Sequence, residues 1–555
     1  MEINIKHILN DETSPDDVVA TLLKDRGIKD IDRFITPPLP TEIGLSEFFK
    51  ESITFKKDWK KVVSLLQKIH KNKETIVVYT DYDADGVTGG AIMWETLHKL
   101  GFKAMPYIPD RKKEGYGFST IGLDHVKKEF NPALIISVDH GIVAHKQITY
   151  AKEELGIPII VTDHHQKQET EPEDALAVFH ITALSGSGVA YFVAKEIVKE
   201  CGEGVELEEF KRDYVALAAT GTIADLVPLT GMSRSIAKYG LEAYGKSVRY
   251  GLRHLLKEAG LEGKPITPYE VGYIIAPRIN AFGRLDHALE ALRLLCTKSY
   301  AKAIELAGKA GKINKARQDL VISAQKKADK MANTEKKIII VRDDEWEEGI
   351  IGLIAGRLMN KHNRPVVVIT RSDGHAKASV RSVPGVDITA FLTSKEIRKY
   401  LIDVGGHAAA AGFSIELNMI DSFTEAAYKK ADKEITEKML VPIMHIDFYM
   451  PIKLVSLPIV TKLAQLEPYG MGNALPVFIS QGIVKNILPF GKLKQYARVQ
   501  LYDGDMGFLE VTFFEKPHSL LKIGNDVRIV YTLKLDTWGG KTKVAAMGRT
   551  VLDKV

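Results

Sequence analysis

The sequence predicts an α/β protein: a parallel-sheet domain joined by a long helix to a second α/β domain, with a C-terminal β-barrel. Three patterns predict it. Short continuous apolar runs alternate with amphipathic helical stretches, as in βαβ units whose strands are buried on both faces. A second block of this kind follows a basic helical connector. Beyond Val441 the pattern becomes short alternating strands separated by turns, which suits a small barrel. A chain of 555 residues fits three to five domains at roughly 100–200 residues each.

Taken in order, residues 1–75 read as a largely helical lead-in broken at Pro37–Pro40. Ile76–Tyr79 (IVVY), Leu134–Val138 (LIISV) and Ile159–Thr162 (IIVT) are the strands of the first sheet, with helices near Gly89–Leu100 and Ala144–Leu155. Helical character then dominates from Val189 to Lys330, so the first domain is placed at 76–297. The connector spans 298–336. Lys337–Val341 (KIIIV) opens the second α/β domain at 337–440, which includes Val366–Ile369 and a Gly-rich turn at Gly405–Gly412. The barrel occupies 441–555, with strands near Ala497–Leu501, Phe508–Phe514 and Val527–Leu533 and turns at Asp503–Gly507 and Trp538–Gly540.

With 45% hydrophobic and 26% charged residues, the composition excludes collagen-like, disordered and disulfide-scaffold classes. The net charge of +5 is small, but its distribution is not even. Residues 441–555 carry a surplus of five positive charges and 298–337 a surplus of seven, so the remainder sums to −7. Two cysteines, Cys201 and Cys296, support neither a disulfide framework nor a CxxC zinc site, and point to a reducing cytoplasm. The first residues lack the pattern of a signal peptide, and no run approaches the roughly 18 apolar residues of a membrane span. A soluble intracellular protein is expected.

The chemistry is concentrated at the strand ends. The first strand is followed by Asp81-Tyr82-Asp83-Ala84-Asp85-Gly86, the second by Asp139-His140-Gly141, and the third by Asp163-His164-His165. Ligands of open α/β sheets bind outside the carboxyl ends of the strands, so all three clusters can open onto one crevice. Carboxylates packed together force one to hold a proton unless cations neutralise them. Carboxylates with imidazole and no thiolate suit Mn²⁺ or Mg²⁺. Singly, each motif is as readily a turn or a helix N-cap; three in succession, each closing a strand, are a strong joint signal.

These motifs, with Gly221-Thr222-Ile223-Ala224-Asp225 as a fourth, resemble the DHH phosphoesterase superfamily, and most closely its RecJ branch of single-strand-specific 5′→3′ exonucleases. The resemblance extends over Arg111…Glu114-Gly115-Tyr116-Gly117, Ser187-Gly188-Val189-Ala190, Pro277-Arg278…Gly283-Arg284-Leu285 and Gly349-Ile350-Ile351-Gly352. Gly405-Gly406-His407…Ala411-Gly412-Phe413 resembles the DHHA1 domain motif, and Leu466–Asn473 lies where the branch enters its OB-fold. Two departures stand out: the segment between Asp163 and Ser187 is short, and Glu347 follows Trp346 where the branch often has histidine.

The resemblance implies a two-metal phosphodiesterase using two Mn²⁺ (or Mg²⁺) ions. Asp81, Asp83, Asp85, Asp139, His164 and Asp225 are then the ligands, with Asp139 bridging. His165 and Asp163 are the catalytic pair, His165 acting as an electrostatic or proton-transfer group at the scissile phosphate. Substrate-binding candidates are Arg111, Arg278, Arg284, Gln318, Arg357, Ser379, Arg381 and His407, since arginine matches phosphate bidentately. For any one arginine the competing reading is a surface salt bridge. In the barrel, Lys492, Lys494, Tyr496, Arg498, Phe513, Phe514 and Trp538 combine cations with rings as a single-strand groove requires, some of the rings being core. The implied function is hydrolysis of single-stranded DNA to mononucleotides in repair and recombination, by a cytoplasmic, monomeric enzyme without membrane attachment. A single-strand-binding protein and a helicase are candidate partners. The alternative is a DHH phosphodiesterase for short oligonucleotides or cyclic dinucleotides, which needs no basic OB module. A DNA-binding relative without activity is disfavoured because every candidate metal carboxylate is present.

Overall fold

A computed structural model describes residues 2–111, 113–115, 117–202, 206–372, 374–505, 507–514, 519–538 and 540–553. The chain divides into two units: a larger one of Ile3–Ile279, Leu289–Ala307 and the residues from His445 onward, and a smaller one comprising chiefly Asn280–Ala288 and Gly308–Met444.

In the larger unit, β1 (Glu2–Ile8) is an unexpected strand at the start of the lead-in. The remaining lead-in is helical, ending in the helix Phe55–Asn72. Next come β2 (Thr75–Thr80), β3 (Lys103–Tyr107), β4 (Leu134–Val138), β5 (Ile159–Asp163) and β6 (Ala177–His180), ordered β3-β2-β4-β5-β6 and paired in parallel throughout. β2, β4 and β5 are buried at every residue, as their unbroken apolar runs require. The chain leaves β2 toward β3 on one side and returns to β4 on the other. The strand order therefore reverses between β2 and β4, and at such a switch point a crevice opens beyond the carboxyl ends. β6 fills the short segment between Asp163 and Ser187. Behind the sheet, the helix Val215–Ala224 (VALAATGTIA) is buried from Val215 to Ile223, because it has no polar face to offer solvent.

In the smaller unit, β7 (Ile339–Arg342), β8 (Val366–Ser372), β9 (His375–Arg381), β10 (Leu401–His407) and β11 (Ala410–Ile415) form one sheet ordered β10-β11-β9-β8-β7. Only the β7–β8 pair is parallel. The Gly-rich stretch 405–412 is not simply a turn. Gly405 pairs with Gly412 and His407 with Ala410 across an antiparallel hairpin. Gly406 has φ +142°, and a Cβ there would collide with the Ala410 carbonyl and Ala411. The long helix Tyr300–Met331 is the predicted connector.

The last strands belong to the larger unit. β12 (Ile443–Tyr449) lies between β1 and β13 (Phe478–Phe490). β13, β14 (Tyr496–Tyr502), β15 (Phe508–Phe513), β16 (Asp526–Trp538) and β17 (Lys541–Asp553) close on themselves, since β16 pairs with both β17 and β13. Phe448, Phe478, Val499, Leu501, Val511, Ile529 and Tyr531 fill the interior. Arg234 ties this part to the helices behind the parallel sheet. Its buried guanidinium donates to the carbonyls of Phe34, Leu466, Glu467 and Pro468 and stacks 3.8 Å from the Phe34 ring centroid. Burial pulls its pKa down to about 10. Gly539, in the expected turn at 538–540, and the Trp538 side chain lie outside the described residues. No described helix is long and apolar enough to cross a membrane. Cys201 and Cys296 are free thiols.

Candidate metal centre

The switch point collects the acidic motifs. Asp81 directly follows β2 and is 3% exposed. Asp83 caps the helix Ala84–Lys99, its Oδ1 accepting the amides of Asp85 (2.9 Å) and Gly86 (3.1 Å). Asp85, in the first turn of that helix, accepts the amide of Gly186 on Oδ2 (2.6 Å) and that of Ser187 on Oδ1 (2.9 Å). Asp139 directly follows β4 with φ +68°, a left-handed conformation that non-glycine residues adopt mostly under local constraint. His164 follows β5. Asp225 ends the helix Val215–Ala224 as its C-cap.

Donor atoms converge in three overlapping groups, each within 4.8 Å: Asp81, Asp83 and Asp139; Asp85, His164 and Asp225; Asp139, His164 and His165. His164 Nε2 lies 3.1 Å from Asp139 Oδ1, 3.5 Å from Asp225 Oδ2 and 3.8 Å from Asp85 Oδ2. Among the described residues, buried Asp81 Oδ1, Asp139 Oδ1 and His164 Nε2 have no hydrogen-bond partner. Such orphaned buried atoms are costly unless something else engages them. Burial raises the pKa of Asp81, Asp83 and Asp139, and neighbouring carboxylates add to the rise. The same causes bring Asp225 up to about 8. Burial lowers His164, leaving its nitrogen free to act as a ligand. An oxygen-rich set with one or two imidazoles and a repulsion that cations would relieve fits Mn²⁺ or Mg²⁺.

Asp163 is placed differently. Its Oδ1 accepts the amides of His164 (2.7 Å) and His165 (3.1 Å) and lies 2.8 Å from His165 Nδ1, while Oδ2 accepts the amide of Ile142 (2.9 Å). Both oxygens are thus occupied, and Oδ1 holds the His165 ring. Burial alone would raise Asp163, but these hydrogen bonds and the His165 charge hold it well below the usual carboxylate range. In return, although burial opposes it, Asp163 lifts His165 to about 9. His140 belongs to the packing. Its Nε2 bonds the Tyr79 carbonyl at 3.0 Å, its ring meets Tyr79 and Phe118, and burial takes its pKa down to about 4.

Two glycines shape the centre: Gly186, which the sequence motifs did not include, and Gly221, which entered only as the start of the fourth motif. A Cβ on Gly186 would collide with the Asp139 carboxylate, and one on Gly221 with Asp85 Oδ1 and Ser187 Oγ. The available signal was position: Gly221 stands one helical turn before Asp225.

Of the substrate-binding candidates, the structure brings Arg111 to the cluster. Its guanidinium stacks 5.1 Å from the Tyr82 ring and its charge opposes the rise of Asp81. Tyr116, in the same motif, lies outside the described residues. Arg278 is engaged in an ion pair with Glu258 at 2.6 Å and a bond to the Ile274 carbonyl. In the smaller unit, Arg284 Nη1 donates to the Gly349 carbonyl at 2.8 Å. Arg381 Nη1 donates to Ser379 Oγ at 3.2 Å, both beside Gly352, and burial lowers the Arg381 pKa. Arg357, His407 and Glu347 are exposed and Gln318 is half-buried.

On the barrel, Phe513 is core at 6% exposure whereas Phe514 is 54% exposed. Phe490, Tyr496 and Phe514 form a ring cluster with centroids 5.4–5.6 Å apart, and Arg498 lies 5.5 Å from the Phe490 ring centroid. Lys492 and Lys494 are exposed. This is an aromatic platform bordered by cations.

The chain matches the DHH family N-terminal domain over residues 75–222, the DHHA1 domain over 335–433 and the RecJ OB domain over 446–549. It is 32% identical over 508 residues to the single-stranded-DNA-specific exonuclease RecJ of Bacillus subtilis, covering 88% of this chain and 63% of that relative's length. The structure of RecJ from Thermus thermophilus in complex with Mn²⁺ superposes with a TM-score of 0.82 at 27% identity, over 100% of this chain and 80% of that one. A manganese-bound structure of exonuclease RecJ matches with a TM-score of 0.59 at 32% identity, over 72% of this chain and 98% of that one.

Proposed function

The chain belongs to the RecJ family, and from that membership we propose that it is a metal-dependent exonuclease that removes mononucleotides from the 5′ end of single-stranded DNA, in repair and recombination. The observation that carries this reading is the convergence of Asp81, Asp83, Asp85, Asp139, His164 and Asp225 at one switch point, where buried donor atoms have no hydrogen-bond partner among the described residues. These residues would hold two Mn²⁺ or Mg²⁺ ions. When bound, such ions supply an activated water and a counter-charge for the leaving oxygen.

The chain's own groups do the rest. Asp139 and His164 each belong to two of the three donor groups, so both would hold metal where those groups overlap. His165, held by Asp163 and protonated up to about 9, would neutralise charge on the scissile phosphate and hold the proton for the departing oxygen. Arg111 would bind a phosphate beside the cluster, and Arg278 would do so by exchanging Glu258. Arg284, Gln318, Arg357, Ser379, Arg381 and His407 are proposed to grip the backbone and the 5′-phosphate, and the Phe490–Tyr496–Phe514 platform to stack the bases. The RecJ OB domain argues against a small-substrate phosphodiesterase. We extend the proposal to a monomeric cytoplasmic enzyme with a single-strand-binding protein and a helicase as partners, since these generate or cover its substrate.

Asp83→Ala tests the reading: Mn²⁺-dependent mononucleotide release is abolished while strand binding persists. Full activity in that variant would overturn it.

A further inference from the structure

The helix Phe55–Asn72 carries six lysines against one carboxylate, Asp58, and the metal centre uses none of them. At about 100° per residue, Lys56, Lys57, Lys60, Lys61, Lys68 and Lys71 fall within an arc of about 140°, shared only with Ser64 and Gln67. All six are exposed. Trp59, Val62, Leu66 and Ile69 are buried on the opposite face. Lys61 pairs with Asp58 at 2.8 Å; among the described residues the other five have no ion-pair partner. Lysines three and four residues apart repel one another and weaken a helix, so this arrangement gains nothing for the helix itself. A polyanion laid along it would relieve that repulsion.

The helix is fixed to the metal-bearing sheet. The rings of Phe55 and Trp59 pack on Phe179 in β6, with centroids 6.4 and 5.6 Å away. The next residue, His180, bonds through Nε2 to the His165 carbonyl at 2.7 Å. The first turns of the helix, with four of the lysines, therefore stand at the edge from which the carboxylates project. A membrane-surface helix would set Trp, Phe or Leu beside its lysines in contact with lipid; here Trp59 and Leu66 are buried and Phe55 and Leu65 half-buried, so none stands fully exposed beside the lysines. Lysine is a point charge without base-reading geometry, and the lysine stripe runs for about 22 Å, the reach of several phosphates.

We propose that this lysine face is an exosite for the phosphate backbone of the DNA substrate, separate from the reacting phosphodiester. The inference rests on the nuclease reading.

The test replaces all six lysines by glutamine and, separately, Lys56, Lys60 and Lys71 alone, with a six-arginine variant as control. Binding of a labelled long oligothymidylate is measured without metal across a salt series, and hydrolysis of a trinucleotide is measured with Mn²⁺. Each phosphate contact on a single strand adds about 0.7 to the salt slope. At full engagement the parent loses about 300-fold more affinity than the six-glutamine variant between roughly 50 and 200 mM salt. The triple variant falls halfway on the logarithmic scale, arginine restores the slope, and trinucleotide hydrolysis is unchanged. An unaltered slope in variants of a parent that degrades long strands overturns the exosite alone. Lost binding confined to anionic vesicles, with DNA binding intact, overturns it too. A parent that neither binds nor degrades single strands overturns the nuclease reading and the exosite with it.

Discussion

His165 Nδ1 lies 2.8 Å from Asp163 Oδ1, and this pairing fixes both the ring's orientation and its charge. Asp163→Asn removes the charge that lifts His165 to about 9. The alkaline limb of the pH–rate profile should move down toward the ordinary histidine value near 6.5, with kcat lowered by about 30-fold at pH 8 as the protonated fraction falls. An unchanged profile would show that His165 has no protonated role.

The raised carboxylates make metal binding pH-dependent. Asp225 keeps its proton to about 8 in the folded apo-protein but loses it near 3.9 when unfolded. The folded state therefore binds more protons between these values, and its stability falls as pH rises through that window. Mn²⁺ displaces the proton and relieves the repulsion. The rise in Tm caused by Mn²⁺ should be larger at pH 8 than at pH 6, with proton release on binding at the lower pH. Calorimetry in buffers of different ionisation enthalpy checks this; an equal shift at both values would contradict it.

Gly221 leaves no room for a side chain beside Asp85 and Ser187. Gly221→Ala should push the Asp85 carboxylate away from the Gly186 and Ser187 amides. Loss of such supporting contacts typically costs 10–100-fold in metal affinity or activity, and overpacking about 1–3 kcal/mol of stability. Mn²⁺ titration and denaturant unfolding of the same variant separate the two effects.

The strand-end motifs were legible because a buried parallel strand announces itself by an unbroken apolar run, and the acidic residues stand directly after Thr80, Val138 and Thr162. The barrel was legible from alternation, as in Ala497–Leu501. What lay hidden depended on tertiary context. Glu2–Ile8 becomes a strand because β12 offers it an edge, which no local pattern shows. Gly186 and Gly221 matter through atoms distant in sequence. The lysine face of Phe55–Asn72 was averaged into an acidic remainder of −7. The hairpin around Gly406 was expected as a turn because glycines mark bends in sequence, whereas here they permit close strand approach.

On the barrel, Phe514 and Tyr496 should contribute stacking, worth roughly 1–3 kcal/mol per base. Phe514→Ala and Tyr496→Ala should each weaken binding of a long single strand by about tenfold or more while leaving trinucleotide hydrolysis unaltered. Phe513→Ala should instead lower stability, because that ring is in the core.

The central claim is tested most directly by end-labelled DNA. With Mn²⁺, the protein should release label at once as a mononucleotide from 5′-labelled single strands, with late release from 3′-labelled ones and little action on blunt duplex, and Asp139→Asn should abolish all of it. Early release from the 3′ end, endonucleolytic fragments, or undiminished activity in Asp139→Asn would contradict the account.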